Sequence, residues 1–427
     1  MQINQNDDFD IKPLYRKRVI DARVETLLKV SGGVLILGPM WCGKSWTGEY
    51  HSESKIFIGD EGSAELAELD PQLALTGEYP RLVDEWQDVP KLWDVARRTI
   101  DRSGAKGMYI FTGSSVPRKK KTHHSGTGRF SRIYMRPLSL FESGDSTGEI
   151  SLSELFNTGR IVNMKSPLDY RKAVRLICKG GWPAAFSIDE KDAEEIPALY
   201  VNSVINYDFS KVDGKKRKKE TLELVLRSLA RNTSSPVKMS TIAEDVSRNG
   251  TTYANATISD YVGVLKSMFL ITAQEPWTPM LRSSSRVRKT PKLHFTDPSL
   301  AATLLGARQD VLAKDPETAG FMFESLCYRD LCVYSSALKG EVFHYRDNTG
   351  LEVDEIIVLD DGKWAAAEVK LGTSKIDDAA SNLLKLKNKV TDEVGAPSFL
   401  MVLCATSGLA YTRPDGVMVV PIDLLGP

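Results

Sequence analysis

The feature that most limits how this chain can fold is a glycine-rich octet directly after the apolar run Val34-Leu35-Ile36-Leu37. A β-strand that leads into a glycine loop is the context in which the pattern G-x-x-x-x-G-K-[ST] binds phosphate. Glycines let backbone N–H groups approach a polyanion without a clashing Cβ atom. The sequence therefore predicts a triphosphate site formed by Gly38, Pro39, Met40, Trp41, Cys42, Gly43, Lys44 and Ser45.

Two side chains of this loop have predicted roles. We expect Lys44 to reach the β- and γ-phosphates and the hydroxyl of Ser45 to ligate Mg²⁺. ATP and Mg²⁺ are thus the predicted cofactors. The alternative is an ordinary strand-to-helix turn with a solvated lysine.

A second feature that predicts nucleotide binding is a short apolar strand that ends in the adjacent acids Asp84 and Glu85. An acid at such a strand end holds Mg²⁺, mostly through water, and the next glutamate can act as general base toward the attacking water. The alternative is a pair of acids that begins a helix.

The strand at residues 108–111 ends in Thr112-Gly113-Ser114-Ser115, whose hydroxyls are candidate γ-phosphate sensors or plain turn residues.

These segments, with Gly128-Arg129-Phe130 and the stretch from Met135 to Gly144, resemble the prokaryotic AAA-type P-loop ATPases that carry a C-terminal domain of unknown function, number 4143. The resemblance covers nearly the whole chain. It implies an α/β protein whose ATPase core is a parallel sheet with helices on both faces. It also implies a lid over the adenine, matched here by Gly181-Trp182-Pro183, although an ordinary helix break explains that turn equally well.

Composition limits the remaining possibilities. A chain of 427 residues that is 42% hydrophobic and 26% charged should form two or three globular domains. Lys+Arg and Asp+Glu each total 56, so any nucleic-acid surface must be local. The five cysteines show no paired metal spacing, which favours a reducing cytoplasm. No apolar run approaches the length of a membrane span and no secretory signal is recognised, so no membrane association is expected.

We predict four blocks: an ATPase core at 1–160, a helical lid at 161–215, a winged-helix-like module at 216–300 and a restriction-endonuclease-like domain at 301–427. The core contains a basic loop at 117–129. Arg129 in this loop is a candidate finger for the γ-phosphate, in cis or from a neighbouring subunit of a homo-oligomer. The alternative is that the charged residues of this loop are simply exposed to solvent and contribute little.

The third block shows three amphipathic helical patterns, followed by an apolar strand at 269–272. This order is typical of a winged helix. Its third helix would present Thr257, Ser259 and Asp260, and a basic wing at 281–289 would contact DNA phosphates. The alternative is a helical module that transmits the state of the ATPase.

The last block contains two strands, 350–359 and 363–370, joined by Asp360-Asp361-Gly362. A three-residue hairpin loop with Gly362 in the left-handed region pairs residue 359 with 363. This register puts Asp354 opposite Glu368 and Glu352 opposite Lys370 on one face of the sheet.

These residues resemble the site of restriction-endonuclease-like nucleases. The resemblance implies Glu324, Asp354 and Glu368 as metal ligands, with Lys370 assisting the attacking water. The alternative is a cross-strand ion pair.

Two classes of function therefore remain: an ATPase that acts on DNA through a metal-dependent nuclease, and a regulatory ATPase whose C-terminal domain binds a protein partner and cuts nothing.

Overall fold

The computed structural model describes residues 11–60, 62–115, 126–212, 214–215, 217–247, 251–279 and 290–427. Most of the predicted basic loop, and the whole of the predicted wing, lie outside these residues. The chain divides into two compact units, Met1–Met135 and Arg136–Pro427. Throughout the described ranges, no helix combines the length and apolarity needed to cross a membrane.

The first unit is built on a five-stranded parallel sheet of strand order β2-β3-β4-β1-β5. Its strands are β1 Gly33–Leu37, β2 Ser54–Phe57, β3 Arg81–Asp84, β4 Tyr109–Gly113 and β5 Phe130–Tyr134. Its helices are α1 Asp21–Val30, α2 Lys44–Tyr50, α3 Ser63–Leu69, α4 Pro71–Ala74 and α5 Lys91–Ser103.

Side chains of this sheet alternate between two apolar clusters, as expected for strands covered on both faces. Val34 and Ile36 of β1 belong to a cluster that includes Val24 of α1. Leu35, which lies between them in sequence, belongs to the cluster that includes Leu92 of α5. The predicted parallel sheet with helices on both faces is therefore confirmed.

The second unit begins with a mainly helical stretch. Its elements are α6 Leu140–Ser143, β6 Ile150–Ser151, α7 Leu152–Thr158, β7 Met164–Lys165, α8 Tyr170–Lys179, α9 Glu190–Ala193, α10 Glu195–Ser203, a π-helix at Val204–Asp208 and α11 Phe209–Lys211. Within it, the indole of Trp182 is fully buried and donates to Ser299 Oγ at 3.0 Å. This side chain is a core residue of the second unit. The lid role of the Gly-Trp-Pro turn stays a prediction.

Among the residues that the structure describes, three helices and a small sheet follow, in the order helix, strand, helix, helix, strand, strand. They are α12 Lys219–Arg231, β8 Ser235–Pro236, α13 Met239–Val246, α14 Asn255–Ser267, β9 Ile271–Gln274 and β10 Lys292–Phe295. The sheet is antiparallel with strand order β8-β10-β9, so β10 is its central strand.

The remainder forms most of a seven-stranded mixed sheet of order β11-β12-β13-β14-β16-β15-β7, plus the pair β17-β6. Its elements are α15 Pro298–Leu304, α16 Gln309–Leu312, α17 Pro316–Ala337, β11 Glu341–Arg346, β12 Glu352–Val358, β13 Trp364–Lys370, α18 Ile376–Val394, β14 Leu400–Cys404, β15 Leu409–Thr412, β16 Met418–Pro421 and β17 Leu425–Gly426. Short 3₁₀ turns occupy Lys12–Leu14, Trp86–Asp88, Pro183–Phe186, Thr373–Lys375 and Ile422–Leu424.

The β12–β13 hairpin has the predicted register. Val358 pairs with Trp364 and Glu355 with Ala367. The amide of Leu359 donates to the carbonyl of Lys363 at 2.9 Å, and Gly362 has a φ of 87°. The three-residue loop therefore fixes which carboxylates share a face.

Candidate functional site

The phosphate loop has a local steric reason for its glycines. A Cβ atom on Gly38 would lie 2.2 Å from the carbonyl oxygen of Met135, and Gly43 adopts a φ of 98°. Lys44 is 4% exposed, and its ammonium donates to the carbonyl of Pro39 at 2.8 Å. The loop thus folds tightly around the stem of the predicted phosphate-binding lysine.

Asp84 is the last residue of β3 and lies beside the end of β4, because these parallel strands are neighbours in the sheet. The hydroxyl of Thr112 donates to Asp84 Oδ1. Burial raises the pKa of Asp84, and hydrogen bonding to Thr112 and Ser45 opposes that shift. The predicted metal acid is therefore adjacent to the loop serine.

Ser45 and Asp84 form a donor set that fits Mg²⁺. This ion is held by one or two carboxylates plus substrate phosphates and water, and does not need an all-protein cage. When bound, it would neutralise charge that develops on the phosphates. The two residues would hold it between the loop and the end of β3.

Glu85 has the left-handed backbone conformation, with φ 54° and ψ 42°. Its carboxylate accepts from Ser114 Oγ at 2.9 Å and also from the side-chain amide of Gln87. Its backbone amide donates to Thr112 Oγ1 at 3.2 Å. Thr112 and Ser114 thus fix the two acids, while phosphate sensing by these hydroxyls stays a prediction.

Arg18, which precedes α1, also contacts the loop, and sequence reasoning missed it. Arg18 donates from Nη1 to the carbonyl of Cys42 at 2.9 Å, and its backbone amide donates to Asp21 Oδ2 at 2.7 Å. The hydroxyl of Tyr15 donates to Asp21 Oδ1 at 2.8 Å. In the sequence, only the three-residue spacing of Tyr15, Arg18 and Asp21 could have indicated these contacts, and such a spacing is not specific.

The prediction that Arg129 reaches the γ-phosphate in cis is wrong. The carbonyl of Arg129 accepts from the amide of Gly33, which is the first residue of β1. The phosphate loop follows the last residue of that strand, at the opposite edge of the sheet. The guanidinium instead pairs with Asp101 at 2.6 Å. Action from a neighbouring subunit stays a prediction.

In the second unit, the structure brings the four candidate nuclease residues into one cluster of ion pairs. Lys370 Nζ lies 2.5 Å from Glu368 Oε2 and 3.3 Å from Asp354 Oδ2. Glu324 on α17 joins through Lys292, a residue that the sequence pattern did not predict. Glu352, predicted on the same face as these residues, pairs with Arg346 at 2.8 Å and stands outside the cluster.

Electrostatics within the cluster are strongly perturbed. Burial and Asp354 raise the pKa of Glu324 to about 7 and that of Glu368 to about 8, against the opposing effect of the lysines. Burial also acts on Asp354, but Lys292 and Lys370 outweigh it and lower the pKa of that carboxyl.

The cluster does not fit a divalent metal as it stands. Within the described ranges, no group of three or more His, Cys, Asp or Glu side chains is arranged to hold a metal ion. Lys292 Nζ lies 2.6 Å from Glu324 Oε1 and 3.3 Å from Asp354 Oδ1, where it separates the two carboxylates.

Comparison with known proteins matches three families along the chain. Residues 31–143 match the family described as AAA domain, and residues 319–425 match Domain of unknown function (DUF4143). Residues 170–311 match Domain of unknown function (DUF8612). The chain therefore carries an AAA domain at residues 31–143 and a DUF4143 domain at residues 319–425, as the resemblance predicted.

Two similar proteins are Mb2031c of Mycobacterium bovis and Rv2008c of Mycobacterium tuberculosis, both named as uncharacterized. Each is 21% identical over 363 residues, which cover 84% of this chain and 74% of the relative. The Walker-type ATPase PABY2304 of Pyrococcus abyssi has a TM-score of 0.42 at 14% identity, covering 70% of this chain and 97% of that one. AMPPCP-bound DnaA from Aquifex aeolicus has a TM-score of 0.24 at 12% identity, covering 62% and 89%.

Proposed function

We propose that this protein binds ATP at the loop of residues 38–45 and hydrolyses it with Mg²⁺. The observation that carries this proposal is the position of Asp84 and Glu85. Asp84 ends β3 and Glu85 follows it. The hydroxyl of Thr112, near the end of β4, fixes Asp84, and the hydroxyl of Ser114, just after β4, fixes Glu85. Strand β4 is the direct neighbour of the loop strand β1. In a parallel sheet these strand ends share one edge, so the acids and the phosphate loop face the same ligand.

Each residue then has a role in phosphoryl transfer. Lys44 leaves the Pro39 carbonyl and contacts the β- and γ-phosphates, while Ser45 and Asp84 hold the metal. Glu85 accepts the proton of the attacking water. The guanidinium that completes the charge stabilisation comes from a second copy of the chain, for which Arg129 remains the candidate.

Two variants test this assignment by separating binding from turnover. Lys44→Ala should weaken ATP binding, because it removes a charged phosphate contact. Glu85→Gln should leave ATP binding intact and reduce turnover by about 10²- to 10⁴-fold, the usual contribution of a general base. Phosphate release undiminished in Glu85→Gln would reject Glu85 as the base. The exposed acid variant Glu65→Gln in α3 is the control for a change of charge in the same unit.

We further propose that the module α12–α14 with strands β8–β10 is a winged helix that binds duplex DNA. Its order of elements supports this proposal. On α14, Thr257 and Ser259 are exposed, whereas Asp260 pairs with Arg217 at 2.8 Å. An acid on this helix would by itself repel DNA phosphate, and the pairing with Arg217 offsets the charge of Asp260.

The DNA proposal is tested by adding charge to the exposed face of α14. Thr257→Glu and Ser259→Glu should each weaken binding of a labelled duplex, because a carboxylate repels phosphate. The exposed Thr158→Glu, at the end of α7, is the matched control. Equal affinity of all three variants and the wild type would reject α14 as the contact helix.

For the C-terminal domain we propose the non-cleaving alternative, in which it is an interaction module of an ATP-driven switch. The ion pairs of Lys292 and Lys370 with the carboxylates support this choice. With ATP and Mg²⁺ or Mn²⁺, wild-type protein should leave supercoiled plasmid intact. Nicking that disappears in Glu368→Ala and Lys370→Ala would instead establish the metal-dependent nuclease.

A further inference from the structure

The carboxylate cluster of the C-terminal domain contains a cation that comes from a different sheet. Lys292 is the first residue of β10, the central strand of the β8-β10-β9 sheet. Its side chain is 7% exposed, and its ammonium contacts Glu324 Oε1 and Asp354 Oδ1. A buried charge of this kind is stable only when it is paired, so these contacts determine where the side chain rests.

The second oxygen of Asp354 and both oxygens of Glu368 are also engaged. Asp354 Oδ2 accepts from the backbone amide of Val369 at 3.0 Å and from Lys370 at 3.3 Å. Glu368 Oε2 accepts from Lys370, and its Oε1 lies 3.5 Å from the amide nitrogen of Asn382. Each oxygen of Asp354 therefore faces a different ammonium group.

An ammonium group and a divalent metal compete for this position. Mg²⁺, Mn²⁺ and Ca²⁺ need several oxygens directed at one point, at about 2.0–2.6 Å. A lysine nitrogen carries three protons and no free lone pair, so it cannot be a ligand while charged. It repels a second cation and occupies the space between Glu324 and Asp354 that the ion would take.

We propose that Lys292 is the resident cation of this cluster and takes the place of a divalent metal ion. The α12–α14 module thereby supplies the charge that stabilises the carboxylates, and the C-terminal domain folds without metal. Removal of this one side chain should create a divalent cation site from Glu324, Asp354 and Glu368.

The test measures Mn²⁺ binding to the full chain without nucleotide. Electron paramagnetic resonance counts the bound ions, and thermal unfolding reports their effect on stability. Lys292→Ala should bind one more Mn²⁺ ion than the wild type. Its melting temperature should fall without metal and recover when Mn²⁺ is added. The double variant Lys292→Ala with Glu368→Gln should lose the additional ion.

Lys363→Ala is the matched control, because Lys363 is half exposed, directly follows the β12–β13 hairpin loop and pairs at the surface with Asp361 at 3.1 Å. It should bind Mn²⁺ as the wild type does. The phosphate loop is the same in every variant, so differences among them report the C-terminal cluster and not ATP hydrolysis.

Two results would overturn the proposal. One is a wild-type protein that binds a Mn²⁺ ion which Glu368→Gln removes, since Lys292 would then not exclude the metal. The other is a folded Lys292→Ala or Lys292→Met variant without any additional ion. The first comparison does not involve a change at Lys292, so it decides the question even where such variants fail to fold.

Discussion

A single methyl group added to the phosphate loop should weaken nucleotide binding in a protein whose sheet still folds. In Gly38→Ala, the new Cβ atom would lie 2.2 Å from the carbonyl oxygen of Met135 and 3.3 Å from the sulfur of Cys42. The first contact is far inside van der Waals distance and involves backbone. The loop must therefore shift away from its position at the end of β1.

The size of the effect follows from the contacts that such a shift breaks. Overpacking by one methyl group costs about 1–3 kcal/mol of stability. Hydrogen bonds to a charged phosphate contribute about 1.5–3 kcal/mol each, so loss of one loop N–H contact should weaken ATP binding by about 10- to 150-fold. Titration with a fluorescent ATP analogue and thermal unfolding of the same preparations measure the two quantities.

Gly59→Ala is the matched control, because a Cβ atom at that position meets no atom within 4 Å. It should bind ATP as the wild type does and unfold at an equal or slightly higher temperature. Folded Gly38→Ala with the ATP affinity of Gly59→Ala would refute the steric argument, and with it the assignment of this loop as the phosphate site.

Three further predictions address other contacts. Ser114→Ala removes the 2.9 Å hydrogen bond to Glu85 and should lower kcat by about 2- to 13-fold without changing ATP affinity, whereas an unchanged kcat would exclude a positioning role. Arg329→Met leaves Asp297 and Asp330 buried without their partner, so the urea midpoint should report a loss of about 3–5 kcal/mol, and a loss under about 1 kcal/mol would contradict this. Burial raises the pKa of Asp347, but hydrogen bonds from Lys389 and Thr349 outweigh burial and lower that pKa. The ionised carboxylate therefore stabilises the folded protein above the unfolded-state pKa of about 4, and this contribution is lost as the pH falls. Asp347→Asn should accordingly be less stable than wild type at pH 7, and the difference should shrink steadily as the pH falls from about 4 toward 2. A constant difference between pH 7 and pH 2 would exclude the ion pair as the cause.

The parts of the fold that the sequence predicted correctly are those specified by neighbouring residues. The loop at 38–45 is contiguous, and its glycines are required by local geometry. The β12–β13 register depends on a three-residue turn in which Gly362 adopts φ 87°, so the turn residues alone are enough to predict the register that pairs Glu355 with Ala367. The alternation of apolar, strand-like runs with helical patterns likewise indicated a parallel sheet with crossover helices.

The errors concern relations between segments that are distant in sequence. Arg129 precedes β5, and the direction in which β5 runs decides which edge of the sheet that arginine occupies. Because β5 pairs parallel to β1, with Phe130 opposite Gly33, the arginine lies at the edge away from the phosphate loop. No residue near Arg129 in the sequence encodes that direction.

Lys292 was missed for the same reason, and the strands around it show how the second unit is held together. Gln274 of β9 donates from Nε2 to Glu355 Oε2 at 2.7 Å, and its Oε1 faces His294 Nε2 of β10 at 3.1 Å. Since an amide oxygen only accepts, Nε2 of His294 carries the proton. Glu355 and His294 are both fully buried, and an unpaired buried polar group costs about 1–3 kcal/mol. Separation of the β8-β10-β9 sheet from β12 would break the bond between Gln274 and Glu355 and the ion pair between Lys292 and Asp354 together. The α12–α14 module and the C-terminal sheet should therefore respond to nucleotide as one body, which makes a buried lysine a stable occupant of the carboxylate cluster and not a transient one.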